Sequence, residues 1–164
     1  MNNQTCENKV GSILVDYLSG LPEVQILSYH PTSAKAYQSE IIRISRKLPD
    51  GKRTRDRYHV DLIFVYNEEL WLTELKCNLS ESSGDIEKLA DIASSYTLEE
   101  LTALIAGRLT SISPTFLKRI RRLVLSLGVM NVDSQIPEGF VVFRAREGFG
   151  VSILNSGADL VSPA

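Results

Sequence analysis

Apolar positions along the chain follow two rhythms. Val10, Ile13, Leu14, Tyr17, Leu18 and Leu21 recur every three or four residues, which predicts an amphipathic helix over residues 5–19, ended by Gly20 and Pro22. Residues 23–29 then read as a short strand and 40–48 as another, with the turn signal Pro49, Asp50, Gly51, Lys52 behind it. Residues 36–48 and 58–66 are accordingly expected to form one long hairpin with a basic tip. A second pairing follows at once, because the apolar runs 58–66 and 70–77 are joined by the polar turn Asn67, Glu68, Glu69.

After Lys76 the rhythm becomes helical. Ile86, Leu89, Ala90 and Ala93 mark one helix, and Thr97 with Glu100 forms a capping box ahead of Leu101, Leu104, Ile105 and Leu109. Ser113 and Pro114 suit an N-cap and first helical position. Phe116, Leu117, Ile120, Leu123, Val124 and Leu127 then predict a third helix, closed by Gly128. Residues 140–144 and 151–154 flank a glycine-containing turn and predict a final hairpin, and 159–164 a loose tail. No repeat, low-complexity tract or linker interrupts the pattern, so residues 1–164 are expected to be one α/β domain.

Within the central pair, alternation puts Val60, Leu62, Phe64 and Tyr66 on one face and Ile63 and Val65 on the face shared with Asp61. Leu70 and Leu72 share a face with Glu74 and Lys76. Both faces of both strands are thus apolar, as in a sheet covered on two sides, where a charge is costly unless it pairs or binds an ion. Two carboxylates converging beside an amine suit a hard divalent cation and a nucleophilic water. Asp61 and Glu74 are the candidate ligands, with the Leu75 carbonyl between them to complete the set. Lys76, a point charge on a flexible stem, is placed to orient the water or to stabilise developing negative charge.

Composition changes this picture in three ways. With 164 residues and 43% apolar content the chain can build a real core, and no apolar run approaches the roughly 18–20 residues of a membrane span. Cys6 and Cys77 lack zinc-site or CxxC spacing, and the one possible pair does not make a disulfide framework. With no signal-like start, a reducing, cytoplasmic setting is expected. The net charge of -2 conceals segregation: eleven of the 18 Lys and Arg lie in residues 43–57 and 118–122. Arg53, Arg55, Arg57, Lys118, Arg119, Arg121 and Arg122 are therefore the candidate contacts to an anionic polymer.

The spacing Asp61-x12-Glu74-x-Lys76 resembles the signature of the PD-(D/E)XK nuclease superfamily. The order of elements over residues 5–95 is similar too: a first helix, acids on adjacent strands and a helix after the lysine. Val60 stands where the name-giving proline would be. The resemblance implies a restriction endonuclease-like core, with a mixed central β-sheet flanked by helices. It further implies Mg²⁺ as cofactor, with Mn²⁺ as substitute, and hydrolysis of DNA phosphodiester bonds. Asp61, Glu74 and Lys76 would be catalytic. Members often carry a first-helix glutamate, for which Glu7 fits the inward stripe and Glu40 is the competitor; His59 shares a face with Asp61. Cutting both strands with one site per chain implies a homodimer. A non-catalytic nucleic-acid-binding or assembly protein keeping the same fold is the alternative.

Overall fold

A computed structural model describes residues 2–30, 42–109 and 112–155. Helix α1 (Asn3–Ser19) starts at Asn2, whose side-chain oxygen accepts from the Thr5 N–H at 2.8 Å, and ends at Gly20. Strand β1 (Val24–Tyr29) follows. Strands β2 (Arg43–Lys47) and β3 (Arg53–His59) pair with each other as a two-stranded ribbon. Next come β4 (Leu62–Tyr66), β5 (Glu69–Leu75), α2 (Ser83–Ser95), α3 (Leu98–Ala106), the single turn α4 (Pro114–Leu117), β6 (Arg122–Val129), β7 (Phe140–Arg146) and β8 (Gly150–Asn155).

The main sheet has six strands in the order β1-β4-β5-β6-β7-β8. It is mixed: β5, β6 and β7 run parallel, and the other neighbours pair antiparallel. Helix α1 covers one face, where Val10, Leu14 and Leu18 meet Leu62, Phe64, Trp71 and Phe143. The other face carries Ile63, Val65, Leu70 and Leu72 beneath Leu89 and Ile92 of α2 and Leu101 and Ile105 of α3. Ile42 and Ile44 of the ribbon join that second core. Two-sided burial of β4 and β5 therefore follows the apolar pattern of both strands. The capping box of α3 is present with both of its hydrogen bonds.

Two expectations are corrected. The anticipated third helix stops after one turn, and Arg122–Val129 is instead a strand between β5 and β7. Its run Leu123 to Val129 packs on both faces of the sheet, and an apolar run of that length fits a buried strand as well as a helix. Gly128 is not a helix cap. A β-carbon there would lie 2.8 Å from Leu75 Cδ2 and 3.2 Å from Leu14 Cδ2, so the bare glycine lets α1 sit close on the sheet. The long hairpin is also divided. β3 pairs with β2 in the ribbon, and the chain breaks at Val60 and Asp61 before β4 enters the main sheet.

Cys6 and Cys77, the one possible pair, are bonded to each other with their α-carbons 5.4 Å apart. Among the described residues no helix is long and apolar enough to cross a membrane. Glu40 and the segment around it lie outside the described residues. The close approach at Gly128 makes a direct prediction. Gly128→Val should overpack the α1–sheet contact and destabilise the fold by about 1–3 kcal/mol. Urea unfolding of the two proteins measures this, and an unchanged midpoint would mean that the helix can simply lift.

Candidate active site

Strand register creates the central juxtaposition. Leu62 faces Thr73 across the antiparallel β4–β5 pair, so one step further brings Asp61 opposite Glu74. Asp61 is anchored twice: its Oδ2 accepts from the Leu75 N–H at 2.9 Å, and its carbonyl accepts from the His30 N–H at 2.8 Å. Glu74 is 3% exposed. Its side chain points to the α2 face, as the alternation with Leu70 and Leu72 requires.

Lys88, on α2, was not singled out by the motif, yet it makes the closest charged contact. Its Nζ stands 2.6 Å from Glu74 Oε1 and donates to the His59 carbonyl at 2.7 Å. The Lys88 ammonium is thus the direct counter-ion of this buried oxygen. A sequence signal for Lys88 existed. Asp85 and Lys88 extend the stripe of Leu89 and Ile92 toward the start of α2, where charged residues on a buried stripe call for partners.

Lys76 emerges just past the end of β5 and bridges the two helical layers. Its Nζ lies 3.4 Å from Glu7 Oε1 on α1 and 3.6 Å from Asp85 Oδ2 on α2. Glu7 is thus brought to the cluster. Asp85 lies in the first turn of α2 and also approaches Lys88 at 4.0 Å. The result is a chain of charge in which Glu7, Lys76, Asp85, Lys88 and Glu74 alternate in sign, with Asp61 beside Glu74. Four carboxylates face two ammoniums, a formal excess of two negative charges.

The electrostatics follow from this crowding. Burial pushes the Glu74 carboxyl well above its usual range, and the adjacent Asp61 carboxylate pushes it further, by repulsion and by sharing a hydrogen bond. Lys88 opposes the shift without cancelling it. Burial also raises Asp85, against the pull of Lys76 and Lys88. Burial works to lower Lys76, but Asp85 and Glu7 outweigh it, so its ammonium is held above the ordinary value.

The basic residues distribute differently. Arg121 Nε pairs with Glu68 at 3.2 Å, and Arg122 Nε lies 3.8 Å from Glu69, both at the far end of β5 from Glu74. Five strand positions separate Glu69 from Glu74, roughly 17 Å at the rise of an extended chain. Lys118 and Arg121 instead line a cavity of about 1090 Å³ between α3 and α4. Arg119 is exposed near that end of the sheet. Arg53, at the far end of the ribbon, stacks its guanidinium 5.9 Å from the Tyr96 ring centre. The side chains of Arg55 and Arg57 lie outside the described residues. His59 turns its ring against His30, with centres 5.5 Å apart.

Among the described residues, no three His, Cys, Asp or Glu side chains converge as a ready-made metal cage. Asp61 and Glu74 are a pair, and Mg²⁺ is typically held by one or two carboxylates with waters and phosphate oxygens filling the rest. The buried Glu74 carboxyl crowded against Asp61, and the local excess of negative charge, fit such an ion. Comparison with known proteins gives no match: no family model, curated protein or solved structure is similar enough to count as one. The resemblance to the nuclease superfamily therefore rests on the residues.

A pH experiment tests the strain at Glu74. A carboxyl that binds its proton more tightly in the folded chain stabilises the fold below its unfolded value of 4.5 and loses that contribution as pH rises toward the raised folded value. Glu74→Gln removes the loss. In chelator-treated protein its stability relative to wild type should therefore rise between about pH 5 and about pH 8. Urea unfolding at both pH values checks this. A difference that does not vary with pH would show that Lys88 neutralises Glu74 completely.

Proposed function

We propose that the chain is a divalent-cation-dependent nuclease of DNA with a restriction endonuclease-like core. One observation carries the reading: a buried carboxylate, Glu74, lies opposite Asp61 at a sheet end, in a cluster that carries more negative charge than its lysines offset. Asp61 and Glu74, with the Leu75 carbonyl, would hold Mg²⁺ or Mn²⁺. When bound, that ion supplies charge neutralisation at the phosphate and a lowered pKa for a coordinated water. Lys76, kept protonated between Glu7 and Asp85, stabilises negative charge that builds on the phosphoryl oxygens. Glu7 and Asp85 position Lys76, and Lys88 positions Glu74.

The ribbon supports a role in holding DNA. β3 ends at His59, two residues before Asp61, so the basic segment 43–57 is joined to the cluster along the chain. A polyanion lying along it would reach the carboxylates. Arg121 and Arg122, paired with Glu68 and Glu69 at the other end of β5, serve as outlying phosphate contacts together with Lys118 and Arg119.

A second reading, a binding or assembly protein without turnover, is favoured by the Lys88–Glu74 contact of 2.6 Å. There the ammonium is the permanent counter-ion of Glu74. The two readings divide on metal binding. For the nuclease, Mn²⁺ titration calorimetry should find one site that Asp61→Asn abolishes; equal affinity in the variant refutes the ligand assignment. For the binding protein, no site appears. Lys88→Ala then costs about 3–5 kcal/mol, as expected when one partner of a buried ion pair is removed.

Turnover is tested on plasmid, branched and single-stranded DNA and on RNA, with Mg²⁺, Mn²⁺ or EDTA. Lys76→Ala should keep most DNA affinity but lose about 10²–10³ in single-turnover rate, the usual cost of deleting a preorganised electrostatic donor. Near-normal cleavage by a less stable variant would make Lys76 a structural residue only.

A further inference from the structure

We propose that the Cys6–Cys77 disulfide is a thiol–disulfide switch that sets the position of Glu7 against Lys76. Its regulatory meaning rests on the nuclease reading; its structural effect does not. The bond joins the residue just before Glu7 to the residue just after Lys76. Those two neighbours form the 3.4 Å ion pair between α1 and the end of β5. Among the described residues, no other covalent link ties a helix to the sheet.

The two ends of the bond are held unequally. The Cys77 carbonyl accepts from the Met130 N–H at 3.1 Å and the Asn131 N–H at 3.0 Å, and the Lys76 N–H donates to the Gly128 carbonyl at 2.9 Å. Cys77 thus belongs to the rigid end of β5 and β6. Cys6 belongs to the first turn of α1, held by its own N–H to the Asn2 carbonyl at 3.2 Å and by the Asn2 cap. Cys6 is buried with its sulfur 4.0 Å from Met130 Sδ, and the larger apolar side chains of the helix begin one turn later, at Val10. First turns lack part of the helical hydrogen bonding and open readily, so the disulfide is the tether that keeps the Glu7 turn at the sheet end.

Release leaves a second satisfied state. Asp85 already lies 3.6 Å from the Lys76 ammonium, so Lys76 keeps a carboxylate partner when Glu7 departs. A shift between the two-carboxylate and one-carboxylate arrangements moves Lys76 toward α2. This gives the switch two discrete positions.

The exchange needs an external dithiol. Cys77 is the partly exposed partner and Cys6 the buried one, so Cys77 Sγ is the atom attacked. A thiolate of the reductant bonds to Cys77 Sγ, the Cys6–Cys77 bond breaks, and Cys6 leaves as a thiolate that takes a proton. The second thiol of the reductant then attacks its own sulfur in the mixed disulfide and releases Cys77 as a thiol. Two electrons and two protons enter the protein, and the dithiol ends as a disulfide.

The test compares oxidised and dithiol-reduced protein, with thiol alkylation and intact mass fixing each state. Lys76 acylation by an amine-reactive ester, followed by peptide mass spectrometry, should run several-fold faster after reduction. In Glu7→Gln it should already be fast when oxidised and should not change on reduction. Cys6→Ser and Cys77→Ser should match reduced wild type and ignore the dithiol; the wild-type comparison stands if either variant fails to fold. Equal Lys76 labelling in the two states, or a full redox response persisting in Glu7→Gln, overturns the switch. Mn²⁺ affinity and plasmid cleavage are read on the same samples. Loss of both in every state refutes the nuclease reading while labelling still decides the tether. Labelling that responds while affinity and cleavage stay constant refutes the regulation.

Discussion

Two-sided burial of β4 and β5 is the constraint on which the remaining structure depends. A strand covered on both faces has no solvated side on which to place a charge, so charged groups collect where the strands end. Asp61 stands just before β4 and Glu74 just before the end of β5, and the antiparallel register makes those two positions neighbours. Neither position alone is unusual. Their coincidence at one edge of a dry sheet forces two carboxylates together and raises the proton affinity of Glu74. Everything else in the cluster responds to that excess of negative charge.

Lys88 and Lys76 answer it from different directions. Lys88 comes from the α2 layer and reaches Glu74, and Lys76 turns past the sheet end to touch both helical layers. The ion pairs therefore do more than compensate charge: they fix α1 and α2 to the same end of the sheet. Such partly buried pairs contribute little net stability, because desolvation offsets most of the attraction. They do specify geometry, since each ammonium has its place only when both helices are docked. The basic ribbon is tied to the same α2 layer by the hydrogen bond from the Tyr58 hydroxyl to Asp91 at 2.6 Å.

Much of this was legible from residue order. Period-two alternation put Glu74 and Lys76 on one face of their strand, and apolar residues on both faces of 58–66 and 70–77 announced a covered sheet. Thr97 and Glu100 announced the start of α3, and the inward stripe of α1 pointed to Glu7. The losses have physical causes. Leu123 to Val129 is apolar throughout, so a buried parallel strand and a buried helix share one signature, and a proline before it and a glycine at its end favoured the wrong one. The function of Gly128 is a close approach between helix and sheet, which local sequence cannot express. Lys88 was missed because its partner is 14 residues away on another element, and the Cys6–Cys77 bond because its partners are 71 apart.

The site and the charge segregation of the chain were expected to converge, and the fold brings together only part of them. β6 begins beside Glu69, so Arg121 and Arg122 lie at the opposite end of β5 from Glu74 and are already paired with the carboxylates of the β4–β5 turn. The ribbon is different, because its last residue, His59, stands two positions before Asp61 and lends its carbonyl to Lys88. On the nuclease reading, a rigid polyanion at the cluster would lie beside the end of the ribbon at His59. It reaches Arg121 and Arg122 only if it spans roughly 17 Å of sheet, about five base pairs of a duplex at 3.4 Å each. The basic residues are two separate groups, and only the ribbon is continuous with the carboxylates.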